Sequence, residues 1–148
     1  MISDLGLAYS LRLAIEAELD VPAHIKNDGF RYPDDKPFIL IESMQNNNQQ
    51  ISKMRETINT IFRYQVGIFA EYSYKRSEYQ SQLRRLFLFD EIPYYDENGI
   101  ITERTFVIES GFNEVPIPND DLTDSTKSHR TYFDIEINIK THKNRGGI

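Results

Sequence analysis

Two acids stand two residues apart in the segment SHRTYFDIEINIK, residues 128–140: Asp134 and Glu136. In an extended chain successive side chains alternate between faces, so this pair projects to one side with its Cα atoms ~6–7 Å apart. Carboxylates so placed could hold a hydrated divalent cation and cleave a phosphodiester. They could equally solvate the open face of a strand, or line a surface past which a polyanion slides.

Nucleases of the PD-(D/E)xK type place a lysine two residues after the second acid. Here that position is Asn138, and Lys140 comes two residues further on. Pro33-Asp34 supplies a PD pair, but in the turn-rich stretch DGFRYPDD ahead of a strand. A small metal-dependent nuclease using Asp134 and Glu136 is therefore the enzymatic alternative, with the lysine out of place. His24, His129 and His142 do not pair at metal-ligand spacing, and a zinc site needs three or four convergent ligands. No nucleophile elbow, dinucleotide fingerprint or phosphate loop occurs. The sequence suggests no catalytic residue, no cofactor and no resident metal.

The elements that position the two acids follow from periodicity. Phe133, Ile135, Ile137 and Ile139 alternate with Tyr132, Asp134, Glu136, Asn138 and Lys140, which predicts a strand with one buried and one wet face. Residues 3–19 predict a helix capped by Ser3 or Asp4, with an apolar stripe of Leu5, Ala8, Leu11, Ile15 and Leu19 widened by Leu7 and Ala14. AHIKN is a short strand and KPFILIESM an interior one, apolar on both faces. RETINTIFRYQVGIFAEY predicts a long one-sided strand, with Ile58, Thr60, Phe62, Tyr64, Val66 and Ile68 on one parity. Residues 73–88 predict a second helix capped by Ser73, with Tyr72, Tyr79, Leu83, Leu86 and Phe87 along one stripe. Residues 92–106 predict a hairpin turning at Asn98-Gly99, and GFNEVPIP an edge strand. Polar loops are expected at 45–53 and 118–129, with a frayed tail from about residue 142. The sum is one α+β domain over 1–148: two helices on one face of a largely antiparallel, or mixed, sheet of about six strands.

The totals narrow the function classes. The chain has 148 residues, 39% of them apolar, with nine Tyr and nine Phe to fill a core and no cysteine for disulfides. Seventeen basic residues against twenty-three acidic ones give a net charge of −6, which disfavours general nucleic-acid binding. The first twenty residues lack the basic flank of a signal peptide, and no apolar run reaches the ~20 residues of a membrane span, so no membrane partner is expected. The interleaved YKRSEYQSQLRR fits an ordinary amphipathic helix better than a nucleic-acid platform. Large polar loops on a small domain fit an assembly module better than a pocket enzyme; a monomeric adaptor binding a peptide along a sheet edge is a third class.

The N-terminal helix, KPFILIES, INTIFRYQVGIFAEYSYKRSEYQSQLRRLFL, FDEIPYYDENG and HRTYFDIEINI together resemble the small head–tail joining proteins of long-tailed bacteriophages of Gram-positive hosts, often described as minor capsid or tail-completion proteins, with the tail terminator nearest. The resemblance covers most of the chain in element order and carries no sharp motif. It implies an α+β subunit assembled as a hexameric ring in the virion, made in the host cytoplasm. Such a ring ends the tail tube and meets a head-completion or stopper protein, while DNA passes through its lumen without specific binding. A stopper or other connector component is the alternative within the class. On this view Tyr132, Asp134, Glu136, Asn138 and Lys140 face the lumen or the open sheet face, where acids would repel phosphate. A head-to-tail ring needs two different patches. One is expected in the 45–53 loop at Asn46, Asn47, Asn48, Gln49 and Gln50; the other in the 118–129 loop at Asp120, Asp121 and Thr123, with hairpin 92–106.

Overall fold

The computed structural model describes residues 2–51, 56–117 and 129–143. Its elements in chain order are α1 (Asp4–Leu19), β1 (Ala23–Ile25), β2 (Phe38–Ser43), β3 (Asn47–Gln50), β4 (Thr57–Ala70), α2 (Ser73–Phe89), β5 (Ile92–Tyr95), β6 (Ile101–Phe106), β7 (Asn113–Ile117) and β8 (His129–His142). Six strands make one mixed sheet in the order β1-β2-β4-β8-β7, with β3 paired to the early part of β4 beyond the end of β2. Among the described residues β1 and β2 are the one pair bonded in parallel; β5 and β6 form a separate antiparallel hairpin. The α+β architecture matches the expectation from periodicity, with eight strands in two sheets among the described residues.

The spine of the sheet is the β4–β8 ribbon, in register over fourteen residue pairs from Thr57↔His142 to Ala70↔His129. Directly opposed residues share a face, so the ribbon sorts its side chains cleanly. Phe62, Tyr64, Val66 and Ile68 of β4 join Phe133, Ile135, Ile137 and Ile139 of β8 in the main core, beneath the helices. Phe133 stacks at 5.8 Å on Phe112 and meets Phe87 of α2 edge-on at 5.4 Å. Such aromatic contacts add ~0.5–1.5 kcal/mol beyond area burial.

Helix α1 starts where Ser3 Oγ accepts from the Gly6 N–H at 3.0 Å. It stops at Asp20, whose left-handed backbone (φ 54°) closes the last turn before Pro22. Its buried residues are Gly6, Leu7, Ala8, Ser10, Leu11, Ile15 and Leu19. Leu5, expected on the stripe, is exposed, and Leu7 takes the central place. The reason is the hairpin: Tyr94 packs over Gly6, where a Cβ would collide with the Tyr94 ring. Tyr94 Oη accepts from the Ser3 N–H, and Ser10 Oγ accepts from the Tyr95 N–H at 2.7 Å. Small and polar residues are thus buried because the hairpin needs close approach, which rotates the buried stripe away from the position that hydropathy alone gives.

Helix α2 buries Leu83, Leu86 and Phe87. Its N-cap is Tyr72, with no side-chain capping bond, in place of the expected Ser73, and Tyr72 is exposed. The helix is instead tied to the sheet edge: Arg84 donates two bonds to the Glu114 carboxylate of β7, at 2.8 and 2.7 Å. Gln80 adds a third at 2.8 Å and accepts from the Thr131 hydroxyl of β8. Such fork-to-fork geometry fixes orientation as well as contributing energy. The hairpin turn carries its positive φ at Gly99 (77°), with the Asp96 carboxylate accepting from the N–H groups of Asn98 and Ile100.

Two loop expectations change. Residues 47–50 form strand β3, with all four side chains exposed. An edge strand that is wet on both faces shows no apolar alternation, so only the ladder offered by β4 reveals it. The 118–129 loop lies outside the described residues except for His129, which opens β8; Asp120, Asp121 and Thr123 fall in that stretch. Of the tail, His142 belongs to β8 and residues 144–148 lie outside the described set.

Candidate functional site

The face of the sheet turned away from the helices carries the candidate residues. Along the ribbon it presents Asn59 opposite Lys140, Ile61 opposite Asn138, Arg63 opposite Glu136, Gln65 opposite Asp134 and Gly67 opposite Tyr132. The structure therefore brings Tyr132, Asp134, Glu136, Asn138 and Lys140 onto one face, as alternation requires.

This face divides along its length. At the β1–β2 end, Phe38, Leu40 and Phe69 form a second apolar cluster, with Phe30 and Tyr132 packed against it. Phe38 and Phe69 stack at 4.6 Å, and Tyr32, contributed by the segment between β1 and β2, lies 5.6 Å from Phe69. Tyr132 is thus not a freely solvated residue like its neighbours. Its ring crosses Gly67, where a Cβ would stand 3.0 Å from it. An aromatic over a cross-strand glycine restores the contact that glycine cannot make. No pattern in the sequence separates Tyr132 from Asp134, because both have the wet parity.

Beyond this cluster the face is polar. Glu136 accepts from the Arg63 Nε–H at 3.0 Å, and Gln65 Nε2–H donates to Asp134 at 3.3 Å. Lys26 stands 3.6 Å from Glu42. The cationic partner of Glu136 is thus Arg63, across the ladder. Parity put Arg63 on the right face, but the register that sets it opposite Glu136 is a long-range fact. The pair is partly exposed, so it contributes no more than ~0.2–1 kcal/mol. Acids and bases balance along this face: Glu42, Glu109, Asp134 and Glu136 against Lys26, Arg63, Arg130 and Lys140. It is an evenly mixed, amide-rich surface rather than a row of bare carboxylates.

A groove of about 520 Å³ crosses this face, lined by Arg63, Gln65, Asp134, Glu136, Glu109 and Asn113 among others. Glu109 reaches it because its N–H donates to the Glu136 carbonyl at 2.9 Å, drawing the chain before β7 alongside β8. Asp134 and Glu136 do not converge: each is bonded to a different β4 side chain. Among the described residues, no group of three or more His, Asp or Glu side chains is placed to hold a metal ion.

Beneath the sheet, Tyr64 Oη donates to the Asp4 carbonyl at 2.9 Å and to its carboxylate at 2.7 Å. Ser43 Oγ donates to the same carboxylate at 2.8 Å. Burial, followed by the Asp4 carboxylate, pushes the Tyr64 hydroxyl far above its ordinary range, so it stays a proton donor. This node locks the start of α1 to β2 and β4. Beside β7, the Arg84 bonds hold Glu114 below the usual carboxylate range, against the opposing effect of burial.

Among the described residues no helix is long and apolar enough to cross a membrane. No protein-family model and no curated protein matches the chain.

Proposed function

We propose that the chain is a structural subunit of a long-tailed bacteriophage: a tail terminator that forms a ring, ends the tail tube and joins it to the head connector. The observation supporting this reading is the one-sided sheet. Both helices pack on one face, as the resemblance implies for such a subunit, and the long β4–β8 ribbon leaves a polar strip on the other.

In this reading the polar strip faces the lumen. A cationic lining would bind DNA by releasing its counterions. Here Arg63 is engaged by Glu136, and the overall face charge balances, so passing phosphates meet neither a strong attraction nor a continuous repulsion. That replaces simple repulsion by Asp134 and Glu136 with a short-range compensated, low-friction surface. The subunit transforms no substrate. Its partners are copies of itself, the tail tube protein and a head-completion or stopper protein, and its place is the head–tail interface of the virion.

The test is a tube-growth assay. Tail tube protein polymerised with this chain present is expected to give shorter tubes, capped at one end in electron micrographs. Tubes of unchanged length with bare ends would contradict the reading.

A further inference from the structure

Among the described residues the sheet has two open edges at the end away from β1, on opposite sides of β4. Lys143 N–H donates to the Glu56 carbonyl. Antiparallel ladders alternate between bonded and non-bonded pairs. Odd-numbered residues of β8 therefore turn their backbone groups to β4 and even-numbered ones turn away, consistent with the Glu136 carbonyl accepting from Glu109 on the far side. Strand β7 pairs only with residues 130–134. Past Glu136, no strand among the described residues pairs with this side of β8 at Asn138 or Lys140. A cleft of about 820 Å³ runs there, between Asn138–Lys140 and Thr105–Val107.

On the other side, Ile51 N–H donates to the Thr57 carbonyl at 3.1 Å. The same alternation points Gln49 toward β4 and turns the backbone of Asn48 outward. Natural edges are guarded by shortness, proline or charge. β1 has three residues and β7 carries Pro116. Strand β3, at four residues, is short as well but carries neither proline nor charge: it lies in six consecutive uncharged amides, Gln45–Gln50. Stacked Asn and Gln side chains favour strand-to-strand pairing.

We infer that β3 of one copy adds to the Asn138–His142 edge of the next, making the sheet continuous between subunits; this rests on the ring reading above. Both β3 and β8 run antiparallel to β4, hence parallel to each other. Rotation about an axis along the strands preserves direction, so unlike edges meet in parallel and the contact is head-to-tail. Like edges meeting about a twofold would run antiparallel and stop at a dimer. The occupant of the β8 edge is thus a second copy of this chain, in a contact that propagates around a ring.

The chain lacks cysteine, so single-cysteine variants report contacts without background. Gln49→Cys and Lys140→Cys both place a thiol on the open face, opposite Asn59. Under assembling conditions, a short bis-maleimide is expected to cross-link a mixture of the two variants and to give at least tenfold less product with either alone. Asn48→Pro removes the outward N–H without touching the ladder to β4, and should abolish both cross-linking and assembly while circular dichroism stays unchanged. Asn48→Ala, which loses the Thr60 side-chain bond but keeps that N–H, should assemble normally. Should Asn48→Pro misfold, Lys140→Pro makes the same test from the other edge. Rings that persist in the proline variants, or equal cross-linking by each single variant alone, would overturn the edge contact and leave the ring reading standing. A wild-type chain that never assembles, even with tail tubes, would remove both.

Discussion

The two faces of the β4–β8 ribbon are built from the same two strands and the same fourteen pairs, yet they are held by different physics. The helix face is apolar and dry, closed by Phe87, Phe112 and Phe133. Beyond the Phe38–Leu40–Phe69 cluster at its β1–β2 end, the opposite face is held by exposed or half-exposed polar pairs, each worth little alone. The difference teaches where this chain keeps its stability and where it is free to vary for contact with other molecules. A surface whose side chains contribute little to folding can be shaped for its surroundings.

Four substitutions break or sharpen that contrast. The largest effect is expected from Phe133→Ala, which removes a fully buried ring that packs on two others. It should cost ~3–5 kcal/mol in chemical denaturation, and a cost below ~1 kcal/mol would mean the core is not where the fold places it. Tyr64→Phe keeps the ring and deletes the hydroxyl that Asp4 accepts from. A loss of ~1–3 kcal/mol is expected, because the bond is charge-assisted and shielded; Asp4→Asn should show partial coupling to it in a double-mutant cycle.

Glu114→Gln tests the α2–β7 tie through pH. Arg84 lowers the folded-state pKa of Glu114 below its unfolded value. The stabilisation is therefore present above the unfolded carboxylate pKa and is lost as pH falls through the depressed folded one. The variant should be less stable than wild type at neutral pH, with the gap closing in acid. A gap independent of pH would point to packing rather than to charge. The smallest effect belongs to Arg63→Ala on the open face, expected to cost ~0.2–1 kcal/mol. If it instead proved as damaging as Phe133→Ala, the proposed division of labour between the faces would fail.

Much of this contrast is legible in the amino-acid sequence. Period-two alternation in residues 131–139 and 58–68 marked the two faces, and 3.6-residue spacing marked both helices. What was not legible shares one cause: it depends on what lies opposite in space. Strand β3 has no apolar pattern and exists because β4 offers a ladder. Leu5 is exposed because Tyr94, eighty-nine positions away, packs over Gly6. Tyr132 has the parity of a solvated residue and is half-buried because it packs across Gly67 and against the Phe38–Leu40–Phe69 cluster. Arg63 could be assigned a face but not a partner. The candidate face was therefore readable as a set of residues, whereas its charge balance, its groove and its open edges required the register.

The claim on which the functional account depends is that copies of this chain assemble with one another. Native mass spectrometry of the purified protein, alone and with tail tubes, measures it most directly. The account predicts a closed ring of identical subunits, six by the resemblance, with the tubes present if not before. A chain that remains monomeric in both samples across the accessible concentration range contradicts it.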